Sequence, residues 1–421
     1  MLNIFWIHLS KIEPVADQKT VNEMAKKIVT NNIEELKQDK YLELNPQQIG
    51  TSFFIATIYK ICNTTNYRII QYLNIVSNII SIITIFFILK QFLNEYKFNE
   101  WIYFIVNLTF IPFILLSTFV YGDYVGLMFS VIAVYMIMKY TKLKKIRYLL
   151  ISAILLGISY IIKSNYLIFI LAFIIYLFLD FLEDKKWNKF IGIMLLILIS
   201  ILPNTILKQV IGNKLELNKN RSIPSSAYIY MGMNEGSRQN GWYNSTMDYV
   251  WQDIDDSYSY YPSKIKERVV ELVKSPFYTA KFYTKKIISM WTEVTFGGIW
   301  YNLPFQANDH EEFLNSLNEN ALFSSICKGK ANSCIVIYQK ALVILIFFGA
   351  LAAILCNRKR LSLNIVLLIT IFLGGFFFHI IWEAKSRYIL PYLYMLIPIS
   401  VIGVENITKY LLKKVKEGKY V

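Results

Sequence analysis

The fold class is decided by residues 190–207, FIGIMLLILISILPNTIL. This stretch holds no charged side chain and is close to the roughly 20 apolar residues that a helix needs to cross a bilayer. Similar runs cover residues 66–89, 101–120, 124–138, 148–162, 165–181, 335–356, 361–381 and 388–404. Residues 1–12 are apolar but too short to cross alone, so they predict a shortened first span or an interfacial segment. The sequence therefore predicts an all-α integral membrane protein with about 9–10 transmembrane helices.

Composition and charge agree with a membrane protein. Only 17% of the 421 residues are charged, whereas soluble domains have about 25%. The net charge of +15 allows either an acidic partner such as nucleic acid or a membrane protein with basic residues on one side. If the spans alternate, one side receives residues 90–100, 139–147, 180–189, 357–360 and 409–421. These segments hold 18 Lys and Arg against 6 Asp and Glu, which is +12 of the total, so they predict the cytoplasmic face and no nucleic-acid partner.

This orientation divides the chain into three parts. Residues 1–207 are an N-terminal transmembrane module with a first outer loop at 12–65. Residues 208–334 form a large extracytoplasmic loop, which we expect to be mostly helical because it is too long for a plain connection. Residues 335–421 form the C-terminal transmembrane helices and a basic cytoplasmic tail.

The first outer loop is predicted to contain amphipathic juxtamembrane helices. Its apolar residues recur at helical spacing, at Val21, Met24, Ala25, Ile28 and Val29. Thr20 and Glu23 fit a capping box that would open this helix. Its apolar stripe would lie on the membrane surface or on other helices.

A small set of charged residues lies at the outer ends of separate spans. The set comprises Asp17, Asp123, Lys163, Glu383, Lys385 and Arg387. Charges at helix ends can simply reach water, and Lys or Arg can reach lipid headgroups. Alternatively, a carboxylate at a helix N-terminus stays ionised and can accept a proton, which suits Asp17. Lys163 and Arg387 are natural partners for a phosphate.

Five short segments carry a family resemblance, namely residues 14–25, 41–50 (YLELNPQQIG), 121–126 (YGDYVG), 157–165 (GISYIIKSN) and 383–391 (EAKSRYILP). They resemble the GT-C superfamily of polytopic glycosyltransferases, in particular the branch of protein O-mannosyltransferases and aminoarabinose transferases. Residues 231–243 (MGMNEGSRQNGWY) also look like the large-loop segment of Gram-positive members. The resemblance implies a cell-membrane enzyme that takes a sugar from a polyprenyl phosphate and transfers it on the outer face. Its acceptor would be an envelope glycopolymer or a lipid-linked acceptor.

The resemblance also implies roles for residues. Asp17 matches the catalytic aspartate of the first loop, and Asp123 matches an acidic position with a binding or supporting role. Lys163 and Arg387 would stabilise the phosphate. Glu43 or Glu383 would position the acceptor or hold the cations in place, and Lys385 belongs to the same substrate-binding set.

The chain also departs from the family. Its first span is short, and Gln18 follows Asp17 where the protein O-mannosyltransferases have an acidic pair. No cysteine pair or histidine cluster predicts a metal site, but a divalent cation held by Asp17 and Asp123 stays open because some relatives use one.

Other functions remain as alternatives. A transporter or flippase of lipid-linked saccharides would carry charges at the bilayer midplane, which the apolar runs lack. A polysaccharide polymerase would share the large outer loop. Cys327 and Cys334 lie close together in that loop, and a disulfide between them is left open.

Overall fold

The N-terminal half of the chain is a succession of helices. The computed structural model describes residues 1–96, 98–236, 239–299, 320–359 and 361–417. The first twelve helices are α1 (Leu2–Ser10), α2 (Asp17–Val29), α3 (Ile33–Gln38), α4 (Tyr41–Leu44), α5 (Ile49–Ile61), α6 (Arg68–Phe92), α7 (Glu100–Leu108), α8 (Pro112–Leu115), α9 (Asp123–Leu143), α10 (Ile146–Ile162), α11 (Leu167–Asp184) and α12 (Trp187–Lys214).

The second half contains the large loop and the last spans. Its described helices are α13 (Ser225–Gly232), α14 (Asp248–Gln252), α15 (Ser257–Lys274), α16 (Pro276–Trp291), α17 (Ala321–Cys327), α18 (Lys330–Asn357), α19 (Leu363–Ile381), α20 (Ser386–Tyr394) and α21 (Ile397–Lys416). Cys327 and Cys334 are free thiols in this structure, so the disulfide that the sequence left open is not formed here.

The helical membrane fold predicted from the sequence is confirmed. Six helices are long and apolar enough to cross a membrane, namely α6, α9, α11, α12, α18 and α19. Two further pairs of apolar helices are bent, so each is either a broken span or a re-entrant loop: α7 meets residues 112–118 at 47°, and α20 meets α21 at 59°. Helix α10 is shorter, with 17 residues. The described residues thus give six candidate spans, or eight if each bent pair is one. The number is lower than expected because composition shows neither a break within an apolar run nor that the run of α10 forms a helix too short to count as a span.

The break after α7 is stabilised by side-chain amides from α6. Gln71, Asn74 and Asn78 donate to backbone carbonyl oxygens of residues 113–119, at 2.9–3.2 Å. Gln339 of α18 donates to the carbonyl oxygen of Thr109 at 2.8 Å. Carbonyls freed by a helix break in hydrocarbon need such partners, because no water is present to satisfy them. The row of amides therefore holds the bent segment that leads to α9.

Helix α2 packs on neighbouring helices through the predicted apolar stripe. Val21, Met24 and Ala25 are fully buried, and α2 packs chiefly on α5. The predicted capping box is wrong, because α2 begins at Asp17 rather than after Thr20. The Thr20 hydroxyl instead donates to the carbonyl oxygen of Ala16 at 3.4 Å. This earlier start places Asp17 in the first turn of α2.

Close packing between α5 and the end of α10 fixes the turn that carries Lys163. A Cβ atom on Gly50 would lie 1.9 Å from the carbonyl oxygen of Ile161, so only glycine fits there. One residue further, the Thr51 hydroxyl donates to the carbonyl oxygen of Ile162 at 2.7 Å. Helix α10 therefore ends against α5, and its C-cap is Lys163.

Candidate functional site

Two cations converge on one carboxylate where α9, α10 and α20 meet. Asp123 is the first residue of α9, Lys163 follows α10, and Arg387 lies in the first turn of α20. Arg387 donates from Nη1 to Oδ2 of Asp123 at 2.6 Å, and the Lys163 ammonium bonds the other oxygen, Oδ1. All three side chains are at least 85% buried. The structure thus brings together three residues that the sequence singled out from distant positions; we call them the Asp123 cluster.

Aromatic rings line the Asp123 cluster. The Arg387 guanidinium lies 4.1 Å from the ring centre of Phe119, 5.4 Å from that of Tyr121 and 5.2 Å from that of Tyr388. Lys163 lies 5.4 Å from the ring centres of the same two tyrosines. Cation–π attraction is strongest when the partners are shielded from water. The rings therefore help to keep both cations in place inside a poorly solvated site.

While Lys163 is protonated, the Asp123 cluster carries one more positive than negative charge, because a single carboxylate serves two cations. Burial lowers the pKa of Lys163 to about 7; Asp123 opposes this shift, and Arg387 adds to it. The surplus cation is the property that an anion-binding site needs. A bound phosphate would contact Lys163 and Arg387 together with Asp123 and would reduce the repulsion between these two cations.

Asp17 is not bonded to this cluster, but its charge acts on a residue that lines the cluster, Tyr121. Asp17 is exposed, and its carboxylate forms no hydrogen bond or ion pair within the part of the chain that the structure describes. Burial raises the pKa of Tyr121. The charge of Asp17 raises this pKa further, and that of Arg387 lowers it. Asp17 and Arg387 of the Asp123 cluster therefore act electrostatically on the same tyrosine. An unpaired carboxylate in this position is free to accept a proton.

The backbone is fixed on both sides of Asp17, at Ala16 and at Gln18. Ala16 has φ 48°, a conformation that residues with a Cβ atom rarely adopt. Gln18 is buried, and its Oε1 accepts a hydrogen bond from the Val120 N–H at 2.8 Å. The residue that replaces the second acidic position of the family thus ties α2 to the loop that leads into Asp123.

Glu383 and Lys385 form a second ion pair beside the first. Glu383 is 5% exposed, and its Oε1 lies 3.0 Å from the Lys385 ammonium. The Tyr388 hydroxyl donates to Glu383 Oε2 at 3.4 Å, which links the pair to the aromatic lining. Both predicted residues therefore belong to the same end of the bundle as Asp123.

Glu43 has a different environment from the other predicted residues. Its Oε2 accepts a hydrogen bond from the backbone N–H of Asn218 at 2.9 Å, which ties α4 to the start of the large loop. Within the described parts of the chain, Glu43 has no hydrogen bond or ion pair with the Asp123 cluster. In the structure Glu43 therefore links two segments, and the role in positioning the acceptor or the cations that the resemblance implies for Glu43 stays a prediction.

Four tyrosines that interact electrostatically with Asp17 or with the charged groups of the site were not predicted from the sequence. Tyr41, Tyr121, Tyr228 and Tyr388 act on one another electrostatically, and burial raises the pKa of the first three. Gln48 donates to the Tyr121 hydroxyl, which fixes that ring. Three of these tyrosines lie in the short segments of the resemblance, so their position there was the available signal.

A divalent cation between Asp17 and Asp123 has a poor ligand set in this geometry. Both oxygens of Asp123 already bond cations, and a third cation would meet their repulsion. No group of three or more His, Cys, Asp or Glu side chains that could hold a metal occurs in the described ranges.

A comparison with family models supports a membrane glycosyltransferase of the GT-C type. The family model that matches is that of dolichyl-phosphate-mannose-protein mannosyltransferases, over residues 46–206. The matched range contains Asp123 and Lys163 but not Asp17 or Arg387. No curated protein and no solved structure matches the chain.

Proposed function

We propose that the chain transfers a sugar from a polyprenyl phosphate to a hydroxyl group of an envelope glycopolymer or of a lipid-linked acceptor, on the outer face of the cell membrane. The observation that carries this proposal is that Asp17, a carboxylate with no bonded partner among the described residues, acts electrostatically on the same tyrosine as Arg387 of the buried cluster, which has one surplus cation. Asp17 can take a proton and the Asp123 cluster can hold a phosphate, and the reaction requires both.

In the proposed reaction, the acceptor oxygen attacks the anomeric carbon of the sugar. Asp17 takes the proton of the acceptor hydroxyl while the new carbon–oxygen bond forms. The bond between the anomeric carbon and the phosphate oxygen breaks, and polyprenyl phosphate leaves with that electron pair. The resemblance to GT-C enzymes favours inversion at the anomeric carbon.

Lys163 and Arg387 would stabilise the phosphate as negative charge develops on it. Preorganised cations in a site that excludes water contribute more than they would in solvent. Asp123 keeps both cations in position before the donor arrives, so little reorganisation is needed at the moment of reaction. Its role in this scheme is to orient the cations rather than to contact the sugar.

The direction of the fold supports action on the outer face. Asp123 opens α9, and the basic segment 139–147 closes it, about 30 Å away along a helix of 21 residues. The basic segment is the side expected to be cytoplasmic by the positive-inside rule. The Asp123 cluster then lies at the opposite, extracytoplasmic end of the bundle.

Purified protein in lipid nanodiscs with a radiolabelled polyprenyl-phosphate mannose tests the proposal, because the matched family makes mannose the first sugar to try. We expect the label to move covalently to an acceptor fraction prepared from the envelope of the source cell. Proteoliposomes test the alternative function, since a flippase would move the lipid-linked sugar across the bilayer and leave its phosphate bond intact. Movement without cleavage would overturn the transferase proposal.

The lowered pKa of Lys163 predicts a pH dependence. Lys163 is cationic below a pH of about 7 and loses its proton above it, so kcat/KM should fall as the pH rises through this range. The charged groups that face Lys163 are Asp123, Arg387 and Lys385. In Lys163→Arg the side chain stays charged, and the alkaline fall should move to higher pH. An unchanged profile in this variant would show that Lys163 does not bind the donor phosphate.

A further inference from the structure

A buried lysine connects the large loop to the segment that carries the site. Lys286 of α16 is 0% exposed. Its ammonium donates to three backbone carbonyl oxygens, of Gly232 at 2.6 Å, Ile380 at 2.8 Å and Trp382 at 2.8 Å. Lysine is rarely buried, since its stem normally lets the charge reach water. A buried lysine whose three donors are all used is therefore a specific structural element.

The three carbonyls belong to the ends of two helices. Gly232 is the last residue of α13, and Ile380 and Trp382 are the penultimate residue and the C-cap of α19. Helix C-termini carry unsatisfied carbonyls and the negative end of the helix dipole, so a cation is favourable there. Burial lowers the pKa of Lys286, and Glu383 opposes this shift. The carbonyl acceptors also favour the charged form.

The segment around Gly241 closes over this lysine. Gly241 has φ 73°, and a Cβ atom there would lie 2.7 Å from Cε of Lys286. The Gly241 carbonyl oxygen accepts a hydrogen bond from the Ala384 N–H at 2.8 Å. The large loop thus bonds the chain on both sides of Glu383, at Trp382 through Lys286 and at Ala384 through Gly241.

We propose that Lys286 is a positioning residue for the site: it fixes the end of α19 against the large loop and thereby places Glu383, Lys385 and Arg387. This role of Lys286 rests on the proposed function, because Glu383, Lys385 and Arg387 belong to the site proposed for sugar transfer. Arg387 lies only five residues beyond Trp382, so a shift of the α19 end would move its guanidinium away from Asp123. Lys286 acts through these residues and does not itself contact substrate.

The variant Lys286→Met tests this proposal, because methionine keeps most of the length and removes all three donors. Lys285→Met is the matched control, since Lys285 is the exposed neighbour on the same helix. For the folded, purified proteins we expect Lys286→Met to lower kcat at least tenfold, with a smaller change in the donor KM. Amide hydrogen exchange of peptides covering residues 380–388 should be faster in Lys286→Met than in Lys285→Met.

A second variant keeps the test decisive if Lys286→Met does not fold. Gly241→Ala pushes a methyl group against the lysine stem and should also lower kcat and speed exchange at residues 380–388. A purely stabilising lysine would reduce the amount of folded protein but leave kcat per folded molecule within twofold of the control, which would overturn the proposal. Unchanged exchange at residues 380–388 would overturn it as well. If the wild type itself transfers no sugar, the proposed function fails, and the exchange data still decide whether Lys286 fixes this segment.

Discussion

Replacing Asp17 with asparagine should lower kcat about 100-fold or more, because general-base catalysis typically contributes a factor of 10² to 10⁴. Asparagine has nearly the same size and keeps a hydrogen-bond acceptor, but it cannot take the acceptor proton. The Asp17 carboxylate is exposed and has no bonded partner in the described residues, so its loss should leave the fold intact. Donor binding, measured by equilibrium titration with polyprenyl phosphate, should stay close to that of the wild type.

The matched control for Asp17→Asn is Glu23→Gln. Glu23 is exposed on the same helix, but it lies nearly two turns away from Asp17. The control should transfer sugar at the wild-type rate. If Asp17→Asn keeps kcat within a few-fold of the control, another residue must take the proton and Asp17 has no catalytic role. In cells, the asparagine variant should resemble a deletion strain in its envelope glycan at equal expression.

Replacing Arg387 with glutamine should lower kcat/KM about 100-fold, because removal of one preorganised group that stabilises developing charge costs about 10² to 10³. In this variant Lys163 still neutralises Asp123, so no buried charge is left alone and the protein should fold. The Asp123 cluster becomes neutral, however. To bind, a phosphate would then have to replace Asp123 as the ion-pair partner of Lys163.

Two further variants separate charge from packing at Arg387. Arg387→Lys restores the surplus charge without the planar fork and should recover part of the activity. Arg221→Gln is the matched control, since Arg221 lies in the large loop and its side chain is more exposed than that of Arg387. Wild-type kcat/KM in Arg387→Gln would mean that the surplus cation has no part in the reaction. Equal losses in Arg387→Lys and Arg387→Gln would point to shape rather than charge.

Much of the site could be predicted from the order of apolar runs and charges. Asp123, Lys163 and Arg387 each end or begin an apolar run, and alternation of the spans puts them on one side of the membrane. Their mutual bonds could not be predicted, because sequence does not say which helix ends are neighbours. Glu43 shows the same limit: its hydrogen-bond partner, Asn218, lies 175 residues further along the chain.

The features that the sequence did not reveal depend on contacts between distant segments. Residues 101–120 read as one span because their composition is apolar throughout, yet the chain bends there and α6 supplies the amides that stabilise the bend. Thr20 fits a capping pattern, but the preceding backbone at Ala16 starts the helix earlier. The burial of Lys286 could not be predicted from the sequence, since a lysine in a polar loop is expected to be exposed.

The central claim is that sugar transfer takes place between Asp17 and the Asp123 cluster. The most direct test is a cryo-EM structure of the Asp17→Asn variant in nanodiscs with an intact polyprenyl-phosphate sugar. We expect the phosphate to contact both Lys163 and Arg387, with the anomeric carbon turned toward residue 17. A phosphate bound out of reach of both cations, or a sugar that faces away from residue 17, would contradict the claim.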